Sequence, residues 1–143
     1  MGLDMYLSAK RYLWSREREA VAVSGVEIPA GFELKELVCN AGYWRKANQI
    51  HKWFVDHVQG GEDECRPHVV SRDQLVKLLG ACQSVKDDPD LIPSLLPPCE
   101  GFFFGSQEID QYYWDDIDHT IAMLTRLLAL ELDGWEFEYC SSW

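Results

Sequence analysis

Two short segments at opposite ends of the chain alternate apolar and polar residues, which is the period of a β-strand with one buried face. Near the start the apolar positions are Leu3, Met5 and Leu7. Near the end Trp135 and Phe137 show the same alternation. Strands at both ends of a chain, with helices between them, predict a small antiparallel sheet that joins the first strand to the last.

Between these strands, apolar residues recur every three or four positions in three segments, which predicts three amphipathic helices. The helices are expected at about 43–59, 71–87 and 107–132. Ser71 begins the second helix with a capping box, and Ser106 is the predicted N-cap of the third. The predicted fold class is therefore α+β, with the three helices packed on one face of the sheet. At 143 residues the chain is expected to form a single domain, 1–143.

Two further segments are predicted from local patterns. Phe32 and Leu34 alternate with charged residues, which indicates a second strand. Three prolines in the segment 91–100 favour an extended loop over the surface, because proline fixes φ and lacks a backbone N–H.

The composition excludes several classes of protein. An apolar fraction of 47% is too high for intrinsic disorder. No run approaches the roughly 18 apolar residues of a membrane span, and the first residues lack the pattern of a signal peptide. The five cysteines are odd in number and contain no close pair, which indicates reduced thiols. The sequence therefore predicts a cytoplasmic protein that does not contact membranes.

No recognised catalytic motif is present in the sequence, whether for phosphate loops, dinucleotides, zinc proteases or serine hydrolases. No catalytic residue and no cofactor is therefore predicted, and an enzyme is the less favoured class. Cys65 and His68 are spaced like half a zinc site, but they lack a second close pair, so no metal is predicted. His51 is interpreted either as a catalytic base or as a satisfied, half-buried histidine, and its place in an apolar helical stripe favours the second.

The net charge of −11 argues against direct binding to nucleic acid, which needs a surplus of Lys and Arg. Residues 1–86 carry 12 Lys/Arg and 11 Asp/Glu, whereas residues 87–143 carry one arginine and 13 acidic residues. This acidic part is either a solvated face or a surface that imitates a phosphate backbone and docks on a basic groove of another protein. The second interpretation assigns partner binding to Asp110, Asp115, Asp116 and Asp118.

The segment 101–106, called the aromatic turn below, places three consecutive phenylalanines between two glycines and ends on Ser106. Three neighbouring side chains cannot all face one side of a strand. One interpretation is a strand end wedged under a helix that Ser106 merely caps. The other is an aromatic pocket for a nucleotide-like ligand. The residues assigned to that pocket are Tyr43, Arg45, His51, Phe103 and Ser106.

Four segments resemble a group of uncharacterised small proteins from bacteriophages and prophages. They are MGLDMYL at 1–7, GYWRKANQIHKWF at 42–54, Leu96-Pro97 and GFFFGS at 101–106. The resemblance implies no particular activity and assigns no catalytic residue. It implies a small accessory protein made in the cytoplasm of a bacterial host cell. Such a protein is expected to bind a host protein, for example a nucleic-acid-handling defence complex such as a CRISPR effector, and to inhibit it.

Overall fold

The computed structural model describes residues 2–101 and 104–143. Within these residues the strands are β1 (Asp4–Tyr12), β2 (Glu36–Arg45), β3 (His68–Val70) and β4 (Trp135–Ser142). The helices are α1 (Ser15–Arg18), α2 (Asn48–His57), α3 (Arg72–Asp87), α4 (Ile92–Leu95) and α5 (Gln111–Leu128). The fold is α+β, as the sequence predicts. No helix in this part of the chain is long and apolar enough to cross a membrane.

The strands form one antiparallel sheet in the order β2-β1-β4-β3. β1 pairs with β4 from Asp4 opposite Ser142 to Arg11 opposite Trp135. β1 also pairs with β2, where Asp4 lies opposite Arg45. The first and last strands are therefore neighbours, which confirms the prediction from their alternating patterns.

The apolar face of this sheet carries the core. Met5 and Leu7 on β1 are fully buried, whereas Tyr6 between them is 40% exposed, as the two-residue period of a strand requires. α2 and α3 bury Phe54 and Leu78 in the same core. The helices thus cover the apolar side of the sheet that the sequence predicts.

The first predicted helix, 43–59, is wrong at its start. β2 runs through Trp44 to Arg45, and α2 begins only at Asn48. Trp44 is buried because it lies on the inner face of β2. Its position in the sequence fits a helical stripe equally well, which is why the helix was predicted to start too early. Lys46 then adopts a φ of 57°, in the left-handed region, and this conformation separates the strand from the helix.

The second predicted helix, 71–87, is confirmed as α3. Its capping box is formed in both directions. The Gln74 backbone N–H donates to Ser71 Oγ at 3.1 Å, and Gln74 Oε1 accepts from the Ser71 backbone N–H at 2.9 Å.

The third predicted helix, 107–132, is shorter at both ends, since α5 spans Gln111–Leu128. Its N-cap is Asp110, whose carboxylate accepts from the Tyr113 backbone N–H at 3.2 Å. Ser106 therefore does not cap this helix, although its hydroxyl accepts a backbone N–H two residues further on. Ser106 and Asp110 can both accept a backbone N–H at the start of a helix, and it is Asp110 that does so for α5.

Two loop assignments also change. The second strand begins at Glu36, after the predicted alternation at Phe32 and Leu34. The segment 91–100 is not extended throughout, because it contains the short helix α4. Proline is tolerated in the first turn of a helix, where its missing N–H has no intrahelical acceptor. β3 was not predicted, since three residues show no measurable period.

Candidate functional site

A cleft of about 430 Å³ opens where the junction of β2 and α2 meets the loop before α5 and the first turns of that helix. This volume lies within the range of about 300–1,000 Å³ that small-molecule sites occupy. Most of the residues that line it have polar or charged side chains. They include Arg45, Lys46, Asn48, Gln49, Ser106 and Asp116.

Asn48 attaches the aromatic turn and the residue Cys99 before it to the start of α2. Asn48 is 3% exposed. Nδ2 donates to the carbonyl oxygens of Phe104 (3.1 Å) and Ser106 (2.9 Å), and Oδ1 accepts from the Cys99 backbone N–H at 3.0 Å. One buried amide thus uses three hydrogen bonds to position one wall of the cleft.

The backbones of Lys46 and Gly105 approach each other closely at the edge of the cleft. Gly105 has a φ of 91°, which L side chains rarely adopt, and a Cβ built there would lie 3.3 Å from Lys46 Cβ and 3.5 Å from the Lys46 carbonyl oxygen. The Lys46 backbone N–H donates to the Leu3 carbonyl at 2.8 Å. Glycine therefore allows the loop to pack against the turn that presents Arg45 and Lys46.

Gln49 brings a nearly buried amide to the cleft. The residue is 2% exposed, yet the bonds from its Nε2 are long, at 3.4 Å to the Tyr113 carbonyl and 3.5 Å to Asp116 Oδ2. Its Oε1 has no hydrogen-bond donor among the residues that the structure describes. Buried amides normally satisfy their hydrogen bonds within the protein. Gln49 therefore retains hydrogen-bonding capacity for a ligand.

Asp116 lies beside Gln49, on α5. Burial raises the pKa of its carboxyl to about 6, and the nearby carboxylates of Asp115 and Asp110 act in the same direction. The Gln49 hydrogen bond and the charge of His119 oppose this increase. The Asp116 carboxyl consequently changes its charge just below neutral pH.

The cleft carries charges of both signs. Arg45 and Lys46 are cationic and exposed, and neither forms a salt bridge with the described residues. Glu108, Asp110 and Asp116 lie in the same lining, and Tyr112 is 77% exposed at its edge. This arrangement suits a ligand with an anionic group, a polar ring and an aromatic face.

The structure brings together two of the five residues that the sequence assigns to the pocket. Arg45 and Ser106 both line the cleft. Tyr43 does not, because its ring lies beside Tyr6, with centroids 5.4 Å apart, and its hydroxyl donates to Asp4. Phe103 lies outside the described residues.

The fifth of these residues, His51, is completely buried rather than half-buried, and it is satisfied on both sides. Its Nδ1 lies 2.7 Å from the Tyr139 hydroxyl, and its Nε2 lies 3.0 Å from Asp63 Oδ2. The Phe104 ring contacts the imidazole edge-on at a centroid distance of 5.0 Å. His51 therefore links α2, β4 and the loop at 60–64, and it is separate from the cleft.

The four aspartates assigned to a docking surface have different environments. Asp110 and Asp116 line the cleft, and Asp110 also caps α5. Asp115 accepts from Gln111 Nε2 at 2.7 Å. Asp118 forms a 2.6 Å salt bridge with Lys86. The exposed acidic surface of this helix therefore consists of Asp115 and Asp118, not of all four residues.

A second cavity, of about 640 Å³, lies between β3, the start of α3 and the connection from α5 to β4. Its charged lining residues, among them Arg72, Glu131 and Asp133, are all exposed, so no buried polar group points to a ligand there. Within residues 2–101 and 104–143, no group of three His, Cys, Asp or Glu is placed to hold a metal ion.

The residues that sequence reasoning missed are Asn48 and Gln49. The helical period that starts at Tyr43 places Gln49 on the solvent side, whereas the observed start at Asn48 places both amides in the buried first turn. A polar pair between the buried residues Ala47 and Ile50 is the sequence signal that could have identified them.

A comparison of the chain with family models, curated proteins and solved structures finds no match.

Proposed function

We propose that this protein is a non-enzymatic phage or prophage accessory protein that binds a nucleotide-like metabolite in the cleft. By sequestering that metabolite it weakens a bacterial defence response. The observation that carries the proposal is the nearly buried Gln49 amide beside the Asp116 carboxyl, in a cleft that also carries Arg45 and Lys46. Cations suit a phosphate, and the buried amide and carboxyl suit the polar edge of a base.

Binding is favoured over catalysis because the described lining contains no nucleophile beside a base. The Ser106 hydroxyl accepts from the Glu108 backbone N–H at 3.0 Å and has no histidine partner there. His51, the strongest candidate for a base, is buried elsewhere and satisfied. The cleft thus supplies recognition groups without a group poised to attack.

Arg45→Glu is expected to weaken nucleotide binding at least tenfold, because a cation that faces the phosphate becomes an anion. A panel of mono-, cyclic and oligonucleotides is first screened by thermal shift, where saturation at 100 times Kd adds about 2.7 kcal/mol of stability. Isothermal titration then gives Kd for the nucleotide that binds best.

The matched control is Lys77→Glu, which makes the same charge change at an exposed position of α3, outside the cleft. It is expected to change Kd less than threefold at 150 mM salt, because distant surface charges are screened. Equal losses in the two variants contradict binding at the cleft and indicate a general effect of net charge.

A second candidate function is docking on a host protein through the acidic surface of α5. The observation that favours it is an exposed aromatic beside these charges. Tyr112 is 77% exposed and precedes Asp115 and Asp118 on the same helix. Aromatic residues with a charged rim are characteristic of protein interfaces, so a basic groove of a host nucleic-acid-handling defence complex is the proposed partner.

The double variant Asp115→Lys/Asp118→Lys tests this docking. Capture of a host protein from a bacterial lysate is expected to fall at least tenfold, and wild-type capture is expected to weaken with added salt. Asp90→Lys/Glu131→Lys reverses two other exposed acids and serves as the control. If both double variants capture the partner as the wild type does, the acidic surface of α5 is not the contact.

A further inference from the structure

We propose that the ligand of the cleft is a guanine nucleotide. Its base donates the N1–H and 2-amino hydrogens to the Asp116 carboxylate and accepts at O6 from the Gln49 amide. This inference rests on the proposed function, and it adds the identity of the base and the two residues that select it.

The order of hydrogen-bonding groups carries the inference. Gln49 Nε2 lies 3.5 Å from Asp116 Oδ2, so a donor stands directly beside the two acceptor oxygens of a carboxylate. The two bonds from Gln49 Nε2, to the Tyr113 carbonyl and to Asp116, are both long and therefore weak enough for a ligand acceptor to replace. The contact with Gln49 is also the one side-chain bond that Asp116 accepts from a described residue. Together Gln49 and Asp116 present a row of donor, acceptor and acceptor.

Guanine presents the complementary row along one edge, with an acceptor at O6 and donors at N1 and the 2-amino group. Adenine places a donor opposite the Gln49 amide and an acceptor opposite the carboxylate. Uracil matches the Gln49 amide and the first carboxylate oxygen, but it places an acceptor against the second carboxylate oxygen. Cytosine places a donor against the Gln49 amide. Guanine is thus the base whose edge satisfies all three groups, with paired N–H donors on a carboxylate.

The rest of the cleft provides the other contacts of a nucleotide. Tyr112, 77% exposed at its edge, offers a ring on which the base can stack, and such stacking accepts any base. Arg45 and Lys46 supply cations for the phosphate. These contacts set affinity, whereas Gln49 and Asp116 set the choice of base.

The ionisation of Asp116 gives this recognition a pH dependence. Burial raises the pKa of Asp116 to about 6, so the carboxylate dominates at pH 7.5 and the acid dominates at pH 5. The protonated form offers fewer acceptors to two N–H donors. The charged groups around it are Asp110, Asp115 and His119 near α5 and Arg45, Lys46 and Glu108 across the cleft.

The test measures Kd for GMP, IMP and AMP at pH 7.5 by isothermal titration. GMP is expected to bind about 10- to 100-fold more tightly than AMP, the discrimination of one good bidentate pair. IMP lacks only the 2-amino group, so its affinity is expected to fall between the two. This comparison uses the wild-type protein and does not depend on the folding of any variant.

Asp116→Asn is expected to reduce the preference for GMP over AMP to less than about threefold, because an amide cannot accept two N–H bonds side by side. Asp115→Asn is the matched control, since the neighbouring carboxylate is exposed and bonded to Gln111. It is expected to retain the preference.

In the wild type, the ratio of the affinity for GMP to the affinity for AMP is expected to fall about tenfold from pH 7.5 to pH 5, because the ionised fraction of the Asp116 carboxyl falls. The phosphate titrates equally in both nucleotides and cancels in the ratio.

Three results overturn the inference. If nucleotides bind with another base preference or with none, guanine recognition is wrong and the proposed function stands. If the preference for GMP survives in Asp116→Asn, Asp116 does not select the base. If no nucleotide of any base binds, the proposed nucleotide-binding function fails as well.

Discussion

The Asn48→Ala variant is expected to lose about 2–4 kcal/mol of its free energy of unfolding, because each buried backbone group left without a partner costs about 1–3 kcal/mol. Asn48 pairs with one buried backbone group, the Phe104 carbonyl, and with two partly buried ones at Cys99 and Ser106, whose loss costs less because water can reach them. The variant is also expected to lose the thermal shift produced by nucleotides, since the loop that forms a wall of the cleft is released. Urea denaturation followed by tryptophan fluorescence measures the first effect.

Ser106→Ala is the control for this experiment. It alters the loop but keeps the Ser106 carbonyl that Asn48 binds, and it removes only the hydroxyl that accepts from Glu108. Its stability is expected to stay within about 1 kcal/mol of the wild type. A loss of less than 1 kcal/mol in Asn48→Ala would show that other contacts hold the loop in place.

The second large effect is expected from His51→Leu, which should reduce the free energy of unfolding by about 2–3 kcal/mol. The imidazole bonds to the hydroxyl of the fully buried Tyr139 and to Asp63, and leucine removes the imidazole partner of that hydroxyl. Nucleotide affinity is expected to remain unchanged, because His51 lies outside the cleft. This combination separates a structural histidine from a ligand-binding one.

A double-mutant cycle with Tyr139→Phe gives the sharper measurement. Removing both polar partners leaves no orphaned hydroxyl, so His51→Leu/Tyr139→Phe is expected to be about 1–2 kcal/mol more stable than the sum of the single losses predicts. Strictly additive losses would show that the hydrogen bond contributes little. A large loss of nucleotide affinity in His51→Leu alone would place the histidine in the ligand site after all.

The elements predicted correctly are those whose signals are local. The sequences of β1, β4 and α3 each show a clear hydrophobic period, and α3 also begins with a capping box that spans four consecutive residues. The junction of β2 and α2 could not be predicted, because Trp44 and Ala47 fit a helical stripe as well as a strand followed by a turn. Pairing with β1 decides between them, and that pairing joins residues far apart in the sequence.

The candidate site was partly predictable for the same reason. The aromatic turn pointed to Arg45 and Ser106, and both line the cleft. Asp116 was assigned to an exposed acidic surface, because net charge does not reveal which carboxylate is buried. Gln49 was placed on the solvent side, and its burial depends on where α2 begins. Charge and hydrophobic period show which residues could take part in a site, but whether such a residue is buried or exposed depends on tertiary packing.

The position of β1 in the sheet also governs how the protein can form during synthesis. β1 leaves the ribosome before both of its neighbours, and β4 leaves well after β2, so residue 4 meets residue 142 only when β4 has emerged. The hairpin of β1 and β2 can form earlier, while the apolar face that carries Met5 and Leu7 still lacks its β4 neighbour. Nascent chains are therefore expected to need protection by chaperones until β4 has emerged.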